Sequence, residues 1–228
     1  MLSRVIEPEW LDHLPADHRG ALRSRRDLRI LNAVMLHDRI VAAELRKSVA
    51  GGAAEIADIG GGDGEFLLKI ARRLDHRWQG SRVTVVDRHD IVTPATQERF
   101  DRLGWRVAQV TMDVFAWLEG QPTFDAIVAN LFLHHFADAE LERLFRAACG
   151  VAPLFIACEP RRTPGPLLAS KLVWGLGCNR VTRHDAPASV RAGFAGRELS
   201  ALWPDDPDWT LRERRAGPFS HLFVARHA

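Results

Sequence analysis

Cysteine is scarce in this chain, which has three in 228 residues. Cys149, Cys158 and Cys178 are odd in number and show no C-x-x-C or Cys/His ligand spacing, so neither a disulfide framework nor a zinc site is indicated. A reduced, cytoplasmic protein is expected. Long hydrophobic runs are lacking too. The longest apolar segment, P-L-L-A-S-K-L-V-W-G-L-G-C, is short and carries Lys171, and the opening M-L-S-R-V-I-E-P-E-W has no apolar stretch of the signal-peptide kind, so no membrane span is expected. Charge of one sign is not in excess: 31 basic against 29 acidic residues give a net +2, no broad electrostatic footprint for nucleic acid. The local exception is H-R-G-A-L-R-S-R-R-D-L-R, His18 to Arg29, which fits a solvated helix face or, alternatively, an RNA contact. Internal repeats and low-complexity tracts are absent.

What is present is an ordinary globular composition, 46% hydrophobic and 26% charged, enough for one full core with appendages. Leu28, Leu31, Met35, Ile40, Val41 and Leu45 recur at helical spacing and predict one long amphipathic helix or two before the first strand. From Ala54, strand-like runs alternate with helical ones: A-E-I-A-D-I, R-V-T-V-V-D, W-R-V-A-Q-V-T-M-D, F-D-A-I-V-A-N and P-L-F-I-A-C-E. This alternation predicts an α/β fold, a parallel sheet with helices on both faces. Beyond Glu159 come a proline-rich loop and two helices, at about 166–177 and 187–202. Two strand-like runs parted by a Gly-Pro turn then predict a closing hairpin. The expected organisation is an N-terminal helical segment over 1–50, serving as lid, substrate element or dimer contact, and a main domain over 51–228 with a helical insertion at about 161–203.

The stretch A-E-I-A-D-I-G-G-G-D-G, residues 54–64, is strand, tight turn and helix start, crowded with glycines that let a ligand approach backbone. A dinucleotide fingerprint fails here, because its third small position falls on Glu65 or Leu67. A P-loop fails as well, since Gly64 is followed by Glu65 and Phe66 instead of Lys-Ser/Thr. Asp63 and Glu65 repel a pyrophosphate, so a cationic or zwitterionic nucleoside is the better occupant.

The pattern Asp58-x-Gly60-x-Gly62-x-Gly64, with Asp87 and Asp113 ending the second and third strands, resembles the first motifs of class I S-adenosylmethionine-dependent methyltransferases. The resemblance implies a Rossmann-like seven-stranded sheet, mostly parallel with the last strand antiparallel, plus the N-terminal helices. It implies S-adenosyl-L-methionine as cofactor, bound by Asp58, Gly60, Gly61, Gly62, Asp87, Arg88, Asp113, Val114 and Asn130. Asp87 is expected on the ribose hydroxyls, Asp113 near the adenine amino group and the Val114 amide on a ring nitrogen. No metal is expected, since no His, Cys and carboxylate cluster shows ligand spacing along the chain.

Asn130 is followed by Leu-Phe and not by Pro-Pro-aromatic, and no cysteine follows a proline. Both observations argue against the nucleic-acid and glutamine methyltransferases that carry those motifs. L-H-H-F-A-D is instead similar to small-molecule methyltransferases of the quinone and polyketide-tailoring kind, which implies a compact hydrophobic acceptor, with O-methylation of a phenolic or polyketide-like compound favoured over C-methylation. An imidazole can take the proton of a phenol, so His134, His135 and His184 are the candidate bases, the last oriented by Asp185. Each could also merely anchor its loop. Trp174, Phe194, Leu172, Met35 and His37 are available to line the acceptor pocket. The alternatives are an RNA or protein methyltransferase using the arginine run, and a non-catalytic cofactor-binding partner subunit; a homodimer is compatible with the N-terminal helices.

Overall fold

The computed structural model describes residues 2–49, 52–120 and 123–228. Three helices come first: α1 (Trp10–His13), α2 (Arg19–Met35) and α3 (His37–Ser48). The alternating part follows as β1 (Glu55–Ile59), α4 (Glu65–Ala71), β2 (Arg82–Asp87), α5 (Pro94–Asp101), β3 (Arg106–Thr111), α6 (Val114–Glu119), β4 (Ala126–Asn130), α7 (Asp138–Cys149) and β5 (Leu154–Pro160). Helices α8 (Pro164–Lys171), α9 (Arg180–Ala192) and α10 (Glu198–Leu202) precede the hairpin β6 (Trp209–Ala216) and β7 (Ser220–His227). The seven strands lie in the order β3-β2-β1-β4-β5-β7-β6. β7 slots between β5 and β6 and runs antiparallel to both, while the pairs among β1 to β5 are parallel.

Burial explains why these runs are strands. The central strands β1, β4 and β5 are inward-facing on both sides, with Ile56, Ala57, Ile127, Val128 and Phe155 all at or near zero exposure, as parallel strands between helix layers require. The edge strand β6 instead alternates buried and exposed positions. One layer of core holds Phe145, Phe155, Trp203 and Phe223, and the other holds Leu67, Leu68, Ile70 and Phe100 with Val41, Ala42 and Leu45 of α3. Each such Leu or Val, fully buried, contributes roughly 1.5–3 kcal/mol. Helix α3 is therefore part of the sheet's own core, not a detachable cover.

The N-terminal pattern, read as one helix or two, forms two that meet at Leu36, whose φ of +59° turns the chain between them. One boundary differs from the sequence expectation. The second helix of the insertion begins at Arg180, seven residues earlier than its apolar spacing suggests, because the Asn179 side chain accepts the Thr182 amide and caps it there. The cap sets the start and Pro187 is carried inside the helix.

Candidate active site

Strand order reverses at β1, with β2 on one side and β4 on the other, and open parallel sheets bind ligands at the carboxyl ends beside such a switch point. A cleft of about 630 Å³ opens there. Its floor is the glycine turn after β1. Gly60 has φ +69° and Gly62 φ +57°, the left-handed region that costs other residues roughly 1–2 kcal/mol. A Cβ on Gly60 would lie 2.2 Å from the Phe132 ring, whereas one on Gly62 would meet nothing within 4 Å. Phe132 reaches this position because Leu131, at the end of β4, adopts φ +53° and turns the chain back over the loop. Gly60→Ala is thus expected to lower stability by more than about 1 kcal/mol and to weaken nucleoside binding, as urea unfolding and calorimetry on the same variant would measure. Unchanged values in both would mean that Phe132 yields freely.

The acidic strand ends do different things. Asp58 is buried beneath the loop, close enough that a Cβ on Gly61 would come within 2.5 Å of its Oδ2. Neither of its oxygens has a hydrogen-bond partner among the described residues. Burial first, then the neighbouring Asp87 and Asp63 carboxylates, push its carboxyl well above the usual carboxylate range. An unsatisfied buried carboxyl is costly, and this one borders the cleft. Asp87 shapes the loop: its Oδ2 accepts the Gly62 amide at 3.0 Å and its Oδ1 the His89 amide at 2.9 Å. Asp113 caps α6 by accepting the Phe115 amide at 2.9 Å, and its Oδ2 accepts the Arg88 guanidinium at 2.6 Å. Although burial opposes it, Arg88 and that amide hold the Asp113 carboxyl below its ordinary value. Asp87, Arg88, Asp113 and Val114 all border the cleft.

Asn130 borders it too, but its side chain is also structural. His37 Nδ1 donates to its Oδ1 at 2.7 Å and Ser220 donates to His37 Nε2 at 2.6 Å, tying α3 to the ends of β4 and β7. Burial pushes the His37 imidazolium down to about 4, so the ring is neutral in this bridge. The Asn130 amide donates in turn to Asn32 of α2 at 3.1 Å.

The far wall is built by the N-terminal strap, residues 2–18, and the turn Leu133–His135. Arg4 fastens the strap by donating to Asp138, the Phe136 carbonyl and the Ala192 carbonyl. His134 is buried between two carboxylates: its Nδ1 donates to Glu159 at 2.7 Å and its Nε2 to Glu9 of the strap at 3.3 Å. Burial opposes its charge, but these two partners outweigh burial and raise it to about 10. Glu159 also accepts the Phe132 and Leu133 amides at 2.9 and 2.8 Å, and Glu9 accepts the Ser189 hydroxyl. The expectation that His134 could serve as a base is therefore corrected: an imidazolium held by two carboxylates keeps its proton. His184 is corrected as well. It stacks on Trp10 at 3.9 Å, donates to Asp185 at 2.8 Å and does not border the cleft; Asp185 meanwhile accepts the Trp10 and Leu11 amides that open α1. His135 does border the cleft, a quarter exposed, with Nδ1 at 3.3 Å from Asp12 of the strap.

Of the residues offered for the acceptor pocket, Trp174 and Leu172 point into solvent and Phe194 and His37 are buried away from the cleft. The apolar wall consists instead of Ile6, Leu11, Leu28, Leu131, Phe132 and Phe136. Glu9, Asp12 and Glu159 escaped the sequence reading because nothing along the chain links them to the histidines; the one usable signal was the pairing of strand-end Glu159 with L-H-H at the neighbouring strand end. Folding also creates a grouping absent from sequence spacing. The ligand-type atoms of Glu9, His134 and His135 lie within 4.8 Å of one another. Both nitrogens of His134 already serve Glu159 and Glu9, so His134 belongs to an ion triad with those two carboxylates.

The strand order and the glycine turn between β1 and α4 are those of the class I S-adenosylmethionine-dependent methyltransferase fold. Residues 56–152 match the family model described as a methyltransferase domain. Among curated protein sequences none matches significantly. Solved structures resemble the fold at low identity. An O-methyltransferase family protein from Burkholderia thailandensis is 17% identical with a TM-score of 0.60, over 92% of this chain and 61% of its own. Magnesium protoporphyrin IX methyltransferase from Synechocystis PCC 6803, with bound SAH, is 16% identical with a TM-score of 0.60, over 93% of this chain and 96% of its own. A plantazolicin methyltransferase, in complex with a desmethyl analogue and SAH, is 11% identical with a TM-score of 0.65, over 96% and 93%. The chain thus spans about three fifths of the Burkholderia protein and nearly all of the other two.

Proposed function

We propose that this protein transfers the methyl group of S-adenosyl-L-methionine to a hydroxyl of a small, largely apolar acceptor, phenolic or polyketide-like, in the cytoplasm. The observation that carries the reading is one cleft with two unlike ends: an open glycine turn over an unpartnered buried carboxyl at one, and the apolar wall with His135 at the other. Its volume suits a nucleoside with one compact acceptor and leaves no groove for a polymer. The O-methyltransferase among the similar structures supports the reaction class, and the three free cysteines fit a reducing compartment.

The residues present fit the cofactor. Asp58 supplies a buried acceptor for an ammonium, Gly62 the open backbone beside it, and Asp87, Asp113 and the Val114 amide the polar rim for ribose and base. Bound there, the cofactor supplies a methyl group activated on a sulfonium. The protein's own part is alignment and proton removal. Phe132 and Phe136 exclude water from the acceptor, Asp12 orients the His135 imidazole, and the free His135 nitrogen takes the acceptor's hydroxyl proton. His134, Glu159 and Glu9 hold strap and turn together so that His135 stays in register.

Calorimetry with S-adenosylhomocysteine tests the cofactor end. Asp58→Asn keeps shape but cannot ionise when an ammonium arrives to offset burial and the neighbouring carboxylates, and it is expected to weaken binding about tenfold or more, since a hydrogen bond to a charged group is worth roughly 1.5–3 kcal/mol. Equal affinity in parent and variant would remove Asp58 from the site.

A further inference from the structure

Two segments of the surface combine exposed apolar side chains with positive charge and expose no carboxylate. From Pro160 to His184 the chain has Arg161, Arg162, Lys171, Arg180 and Arg183 and no Asp or Glu. Arg162 is turned inward; Lys171, Arg180 and Arg183 are exposed. Between them Leu168, Leu172, Trp174 and Leu176 are 63, 54, 61 and 50% exposed, while the smaller Val173 is buried. A segment packed for solvent would have the opposite arrangement.

The second segment is α2. Arg19, Leu22, Arg23, Arg26, Ile30 and Val34 are exposed, and at about 100° per residue they share roughly a third of the helix circumference. Asp27, the helix's one acidic residue, is buried against α9, where it accepts the Asn179 amide at 2.7 Å and the Thr182 hydroxyl at 2.9 Å. Asn179 also donates to the Gly20 carbonyl at 2.9 Å, so the two segments join at this residue. Arg180 sits over the Trp10 ring at 5.4 Å. Trp10 is itself partly exposed, and Ile6, on the same strap, borders the cleft.

We propose that α8, the turn Val173–Leu176 and the outer face of α2 dock this protein on an anionic lipid bilayer surface. Leu168, Leu172, Trp174 and Leu176 enter the headgroup region, and Arg19, Arg23, Arg26, Lys171 and Arg180 lie at the level of the phosphates. Among the described residues no helix is long and apolar enough to cross a membrane, so the protein lies on the bilayer. Charge selects lipid over a second copy of the chain: a two-fold contact would set the same arginines against each other, whereas an anionic plane neutralises all of them. The exposed Leu172, Trp174 and Leu176 follow one another between Lys171 and Arg180, an apolar stretch flanked by cations that suits an anionic plane. Arg180 over Trp10, and Ile6 on the same strap at the cleft, place this surface beside the cleft mouth. This inference does not rest on the acceptor proposed above.

Cosedimentation of the full chain with vesicles of phosphatidylcholine, alone or mixed with phosphatidylglycerol, tests it at low and high salt. Salt-sensitive binding to the anionic vesicles is expected, falling about tenfold or more in Leu172→Glu/Trp174→Glu and also in Arg23→Glu/Arg26→Glu. Circular dichroism and S-adenosylhomocysteine affinity should stay at parental values in both variants, because none of the four residues borders the cleft. No binding, equal binding to both vesicle types, or binding untouched by either variant overturns the proposal. So does a change in oligomeric state, read by sedimentation velocity, in place of a change in lipid binding.

Discussion

Replacement of His134 by alanine is expected to lower stability by about 3–5 kcal/mol, because it strips the counter-charge from two buried carboxylates. The pH dependence sharpens this expectation. His134 is raised from 6.5 to about 10 in the folded protein, so its contribution is fully present below the unfolded value and is lost as pH rises through the folded one. Glu9 and Glu159 are lowered from 4.5: burial works against both, and their hydrogen bonds to His134 outweigh it. Their contribution is present above the unfolded value and lost as pH falls through the depressed folded ones. Urea midpoints of the parent should therefore decline toward alkaline pH, and His134→Ala should flatten that decline. Cofactor affinity should fall together with stability, since Phe132 and Leu133 hang on Glu159. A variant within about 0.5 kcal/mol of the parent with an unchanged pH profile would show that the triad carries no net interaction.

The opposite signature belongs to His135. Its alanine variant should lose turnover by about 10²- to 10⁴-fold while largely keeping stability and S-adenosylhomocysteine affinity, because its ring borders the cleft and is a quarter exposed, paired with Asp12 and packed on the His134 ring. Asp12→Asn should lose less, since it leaves the imidazole in place and removes only its orientation. Turnover on a phenolic panel, measured beside calorimetry, separates the two histidines although they are neighbours in the chain. If His135→Ala works within a few-fold of the parent, no histidine removes the proton, and the acceptor reacts already ionised and held in line.

Adjacent residues with such different fates mark the limit of what sequence can state. L-H-H-F announced chemistry at the end of β4, but a strand end cannot say which ring turns inward. That choice depends on Glu159, one strand over, and on Glu9, 125 residues away from His134. The same holds for Asn130, whose amide is shared by His37 of α3 and Asn32 of α2.

Sequence by itself determined the parts whose cause is local: alternation of apolar runs for a parallel sheet, glycines where φ must be positive, acidic residues where strands stop, a Gly-Pro turn between two terminal strands. These are short-range demands of backbone geometry and burial period, and a neighbouring residue or two suffices to meet them. Only the tertiary structure decided which histidine keeps its proton, which wall the strap supplies, and that α3 belongs to the core. Those outcomes follow from charge pairing and desolvation between segments far apart in the chain, quantities that exist only once the segments have been brought together and water has been removed from between them.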